Sequence, residues 1–236
     1  MKLACACSSF RRAFDSGDLT QLEFLDHAGR TLECDGVVLD VAHFPRTDDD
    51  YLAQVKKMAA DLGLCIAALC DDAFFSATAP DISRTLAVAV AIGAPLLAGQ
   101  LAPETAFAWS EQLAKLNDAT GLAKRANVTL AVRNAPGTFA ATTLDCKRVS
   151  KEADSAWLRF GPEPRAFDAA SDLSDVASKT VLLWSAYDRA PSIEGWEAFR
   201  GFVALDGADG SCTIAAMQSA TRRWRIALAN FELNRT

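Results

Sequence analysis

The chain has 236 residues, half of them hydrophobic and 23% charged, with a formal net charge of −6. That balance is globular, can fill a sizeable core, and argues against a DNA or RNA partner, which needs a basic face. No stretch reaches the ~20 apolar residues of a membrane span; the run from Leu86 to Leu101 is broken by Gly93 and Pro95.

The start, MKLACACSSF, lacks the apolar length and cleavage pattern of a signal peptide. The seven cysteines are odd in number and contain no C-x-x-C pair, which reads as reduced thiols in a cytoplasmic protein. Cys5 and Cys7 share one face of a short strand. They are read as small buried hydrophobes, with a reactive or metal-binding pair as the alternative.

Short apolar runs alternate along the chain with longer amphipathic ones, the signature of βαβ units. The first strand is expected over 2–7, a helix over 19–28 and the second strand over 37–42. Asp48, Asp49 and Asp50 then load the start of a helix whose apolar residues Tyr51, Val55, Met58, Ala59 and Leu62 recur at helical spacing. Gly63 supplies its stop. Strand three is expected over 65–69, with a helix over 81–92 beginning near Asp81 or Ser83. Strand four covers 95–98, and a long helix over 104–126 carries a break at Gly121. Strand five covers 128–132, a helix 143–153 and strand six 156–160. A partly helical link spans 167–177, followed by strand seven over 180–184, a short helix over 193–199, strand eight over 202–205 and a final helix over 212–230. Eight strand–helix units of nearly all-apolar strands predict a closed (β/α)8 TIM barrel, one domain over 1–236. An open doubly wound sheet would carry a G-x-G-x-x-G turn, and none occurs.

Active sites of such barrels lie at the C-terminal ends of the strands. Strand one ends there in Ser8 and Ser9, strand two in Asp40 and His43, strand three in Asp71 and Asp72, and strand four in Gln100. Strand five ends in Arg133 and Asn134, strand six carries Arg159, strand seven leads to Trp184 and Asp188, and strand eight ends in Asp206. An arginine at the end of the apolar run VTLAV is costly to bury unless an anion or a carboxylate meets it. Substrate binding is therefore assigned to Arg133, Asn134, His43, Asp40, Gln100, Arg159 and Trp184. The bland readings stay open: Asp40 as a turn cap, Arg159 turned outward, Arg133 paired with an acid. Gly207–Ser211 could cradle phosphate ahead of the last helix, but Asp209 would repel it, and a loop capped by Ser211 is expected.

Several segments resemble the xylose isomerase-like barrel family, the sugar phosphate isomerases and epimerases that also include endonuclease IV. Asp35–Asp40 (DGVVLD) is similar to that family's second strand, Tyr51–Ala68 to its following helix and third strand, and Leu122–Asn134 (LAKRANVTLAVRN) to its fourth helix and fifth strand. The resemblance implies a divalent metal held by a Glu ending strand five, an acid near strand six, a His near strand seven and a Glu ending strand eight. Here those positions hold Arg133, Gly161, Ser185 and Asp206, and Asp188 keeps the final Asp of the strand-seven motif. A guanidinium has no lone pair for a metal, so no metal and no cofactor is expected. Arg133 would instead supply the positive charge.

The expected function is that of a sugar or sugar-phosphate isomerase/epimerase-like protein with a largely lost metal site. It would bind a small oxygen-rich anionic ligand, with Asp206 and Asp188 as the catalytic proton-transfer groups. The alternative is a non-catalytic relative that binds a ligand or a protein. The expected partner is a small sugar-like molecule, with neither nucleic acid nor membrane. The last helix, with Trp224, Ile226, Leu228 and Phe231, could build a homodimer contact.

Overall fold

The structure is a computed structural model and describes residues 1–167, 173–192, 194–207 and 209–233. Eight parallel strands alternate with helices, in the sheet order β6-β5-β4-β3-β2-β1-β8-β7. The chain divides into two compact units, Met1–Ala67 with Trp184–Thr236, and Ala68–Leu183.

In the first unit, β1 (Lys2–Ala6) lies between β2 (Gly36–Asp40) and β8 (Phe202–Asp206). Register sets Ala4 opposite both Gly36 and Ala204. Four consecutive buried residues in β1, β2 and β8 show why the runs read as continuously apolar: both faces of a parallel strand are covered. Helix α1 (Arg11–Ser16), which the sequence reading did not anticipate, precedes α2 (Gln21–Asp26). Thr20 and Glu23 form a capping box that starts α2. The next helix, α3 (Asp49–Asp61), starts where its acids put it: the Asp48 side chain accepts the Tyr51 N–H at 3.1 Å. Tyr51, Leu52, Val55 and Ala59 are its buried stripe.

In the second unit, the end of β3 (Cys65–Cys70) is followed by α4 (Ala79–Ile92), β4 (Leu96–Gln100), α5 (Trp109–Ala126) and β5 (Thr129–Arg133). Then come α6 (Thr143–Ala153), β6 (Leu158–Phe160) and α7 (Ser174–Ala177). Helix α4 begins two residues before its expected start, because Pro80 is well placed in a first turn. Helix α5 begins at Trp109 rather than 104, since residues 103–106 form a turn bridged to Thr138, and it runs unbroken through Gly121. Helix α6 matches its expected span, set by the Thr142–Asp145 capping box. Thr180, expected to open strand seven, instead bridges Phe160, and β7 is Leu182–Ala186.

The expected helix over 193–199 is corrected: residues 194–199 form turns, while 193 lies outside the described residues, as do 168–172 of the link before α7. The last helix, α8 (Ile214–Leu233), buries Met217, Ala220, Trp224 and Leu228 at helical spacing and leaves Ile226 64% exposed. Among the described residues, no helix is long and apolar enough to cross a membrane.

Candidate functional site

In the second unit, Gln100 closes β4 and Arg133 closes β5, and the parallel register pairs them directly. Paired residues of neighbouring strands, about 4.8 Å apart, project from the same face of the sheet. Both are partly exposed, unlike the three buried residues preceding each. An arginine and a glutamine are therefore backbone neighbours at the C-terminal edge. Gly99 makes room just behind them, because a Cβ there would lie 2.5 Å from the Asp71 carbonyl oxygen.

Asn134 points its chemistry elsewhere. It is buried, its amide N–H donates to the Glu163 carbonyl at 3.2 Å, and its amide oxygen accepts the Glu163 N–H at 2.7 Å. It ties the loop after β5 to the loop after β6. The Arg159 guanidinium donates to the carbonyls of Ser155 and Leu158, at 3.2 and 3.0 Å, and so reaches back toward the start of β6. Asp71 is half-buried, accepting from the Ala73 N–H at 3.1 Å and the Thr85 hydroxyl at 3.2 Å. Burial pushes its carboxyl pKa up.

In the first unit, Asp206 ends β8 and is 5% exposed. Its Oδ1 accepts from the Ser8 hydroxyl at 2.8 Å, the Gly207 N–H at 2.8 Å and the Ser9 hydroxyl at 3.5 Å. Buried carboxylates need such donors. Asp40 ends β2 and its carboxylate accepts the Ala42 N–H at 2.9 Å, capping the short 3-10 turn Val41–His43. His43 stacks flat on Phe14, with ring centroids 4.5 Å apart. Its Nδ1 lies 3.3 Å from the Cys7 sulfur, which also accepts the Asp40 N–H at 3.0 Å. Burial pushes the Cys7 thiol pKa up and, against the pull of Asp40 and Asp15, the His43 pKa down. The contact is thus between neutral groups. Trp184 belongs to the core at 1% exposure. Asp188 stands exposed on the turn after β7. Asp209 accepts from Ser211 and shapes the loop, and Thr213, rather than the expected Ser211, caps α8 by accepting the Ala216 N–H at 3.2 Å.

No protein-family model matches the chain, and no curated protein does. Solved structures do. D-psicose 3-epimerase with D-tagatose from Clostridium cellulolyticum H10 aligns over 99% of both chains with a TM-score of 0.75 at 12% identity. The probable 3-DHS dehydratase AsbF of Bacillus anthracis, involved in petrobactin synthesis, aligns over 94% of this chain and 98% of its own, with a TM-score of 0.73 at 12% identity. A xylose isomerase-like TIM barrel/4-hydroxyphenylpyruvate dioxygenase fusion protein aligns over 95% of this chain and 42% of its own, with a TM-score of 0.70 at 16% identity. The chain has the fold of the xylose isomerase-like TIM barrels. At these identities the likeness carries the fold, and activity has to be argued from the site.

The metal expected of such barrels can be tested against the donors present here. Of the four positions named from the resemblance, Arg133 has no lone pair, Gly161 has no side chain, and Ser185 offers a neutral hydroxyl. Asp206 alone is an anionic ligand type, and its Oδ1 is already met by three donors. Taken residue by residue, only Asp206 is the kind of donor a divalent ion prefers, a hard anionic oxygen or an imidazole. Among the described residues, no group of three or more His, Cys, Asp or Glu gathers as a metal centre would require. Three features escaped sequence reasoning: the bonds by which Ser8 and Ser9 hold Asp206, the Cys7–His43 contact, and the burial of Gln21. None had a local signal; the T-x-x-E capping box fixes where α2 begins but not that Gln21 is buried.

Proposed function

We propose that this protein is a sugar or sugar-phosphate isomerase/epimerase-like barrel that binds a small, oxygen-rich anionic ligand without a resident metal. The single observation that carries the reading is the pairing of Gln100 with Arg133 at the C-terminal edge of β4 and β5. An always-charged fork there suits a phosphate or carboxylate, and the neighbouring amide suits a hydroxyl. Asn134 and Arg159 support the loops and strand rather than the ligand, since their polar atoms meet backbone groups. Asp206 and Asp188 are the proposed proton-transfer groups. The epimerase with the same fold was solved with D-tagatose, an uncharged sugar, which supports a sugar-like ligand; the anionic charge rests on Arg133 alone.

A second reading, a relative that binds such a ligand without turnover, is favoured by Asp188, which lies exposed on a turn rather than in a desolvated setting that tunes catalytic acids. Calorimetry with D-fructose 6-phosphate tests the binding claim. Arg133→Ala is expected to lose roughly tenfold or more in affinity, the worth of one charge-assisted contact, with an unchanged urea midpoint. Equal affinity in the variant refutes the assignment. Proton exchange into the sugar, followed by NMR in deuterium oxide, separates turnover from binding alone.

A further inference from the structure

Gln21 is the first residue of α2 and is 1% exposed, yet neither its amide oxygen nor its amide nitrogen has a hydrogen-bond partner. Native interiors seldom leave such a group unmet, and each instance asks for an explanation. Gln21 lines a cavity of about 270 Å³ shared with Phe14, Asp15, Thr20, His43 and Pro45. The cavity lies on the side where β1 and β2 end, since α1 follows the first strand and His43 the second.

The lining is chemically specific. The Cys7 sulfur accepts the Asp40 N–H, so its own proton is available to His43 Nδ1, 3.3 Å away. That contact occupies Nδ1 and leaves Nε2 to donate or to accept, according to the tautomer. Gln21 adds one donor group and one acceptor. The stacked Phe14–His43 pair forms a flat wall. Asp15 is exposed at the rim and repels anions, and Arg11 and Asp40 are the other charges acting on His43. A hydroxyl both donates and accepts, as the amide requires of its partner, and two adjacent hydroxyls match its oxygen and nitrogen together. The volume sits just under the ~300–1,000 Å³ of ordinary small-molecule sites.

We infer that the cavity between the segments following β1 and β2 is a binding site for an uncharged polyhydroxy compound of monosaccharide size or smaller, whose neighbouring hydroxyls pair with the Gln21 amide and the His43 ring. Both amide atoms are closed off from solvent, so the pairing requires the Gln21 side chain to turn toward the ligand. The site rests on the sugar reading above only for its class of ligand.

The test is NMR of the full-length ¹⁵N-labelled protein titrated with xylitol, then D-fructose, with sodium acetate as the charged control. The Gln21 side-chain amide pair, assigned by its loss in Gln21→Leu, is expected to shift saturably with both neutral compounds and not with acetate. Calorimetry should show Gln21→Leu losing about tenfold in xylitol affinity, while its melting temperature holds or rises because an unmet amide has gone. No saturable shift at millimolar xylitol, a response to acetate instead, or equal affinity in Gln21→Leu each overturns the inference. Failure of D-fructose 6-phosphate to depend on Arg133 would sink the earlier reading and leave this xylitol titration standing, so the two can fail separately.

Discussion

Gly99→Ala offers a quantitative test of how the strand ends are held. An added Cβ would meet the Asp71 carbonyl oxygen at 2.5 Å, about 0.9 Å inside ordinary contact at 3.4 Å, with Phe74 and Phe75 each at 3.4 Å. That carbonyl cannot drift aside cheaply. It accepts the Phe74 N–H at 3.1 Å, and the Asp71 N–H donates to Ala98 at 2.9 Å. Overpacking a buried site costs ~1–3 kcal/mol, and a backbone obstacle held on both sides places this case near ~3 kcal/mol, roughly a hundredfold in the unfolding equilibrium. Gly121→Ala is the matched control: its Cβ would find only the Arg125 guanidinium, at 4.0 Å, and the position is mid-helix in α5. Helix propensity then gives a gain of ~0.5–1 kcal/mol. Urea unfolding followed by circular dichroism should therefore move the two midpoints in opposite directions. A Gly99→Ala midpoint equal to wild type, or a loss in Gly121→Ala, would refute the packing argument.

Acid should weaken the fold through His43. Its pKa is lowered in the folded state, chiefly by burial, below the ordinary 6.5. The unfolded chain then binds the proton first, so the stability present above that ordinary value is lost as pH falls toward the lowered one. Urea midpoints measured from about pH 8 to about pH 5 should slope downward in wild type and less so in His43→Gln; equal slopes would remove His43 from the account. Asp71, whose pKa burial raises, works with the opposite sign: its contribution is present at low pH and lost as pH rises through the raised value. Thiol accessibility gives a further test. Cys65 is exposed and the other six cysteines are buried, so a disulfide reagent should modify one thiol quickly in the native protein and all seven after denaturation. Two or more fast thiols would contradict the packing around Cys5, Cys7 and Cys34.

What the sequence determined by itself was whatever depends on near neighbours. The strands stood out because a parallel strand buried on both faces needs an unbroken apolar run, as in Val37–Leu39 and Leu130–Val132. Helix α3 was legible from its leading acids and apolar spacing, both properties of consecutive residues. The polar residues at strand ends were legible too, because alternation of strand and helix fixes which end each one occupies. What each polar group touches was decided only by tertiary structure. Arg159 and Asn134 stand on paper beside Arg133 as strand-end candidates, but the fold turns the polar atoms of the first two to backbone groups of nearby segments, and register sets Arg133 opposite Gln100. Asp206 found its donors in Ser8 and Ser9, nearly two hundred residues away. Gln21 reads as an ordinary first-turn glutamine, and only the closing of α1 and the His43 turn around it left its amide buried and unmet. Periodicity is local and survives in the sequence, whereas the identity of a hydrogen-bond partner is set by which distant segments the packing brings together.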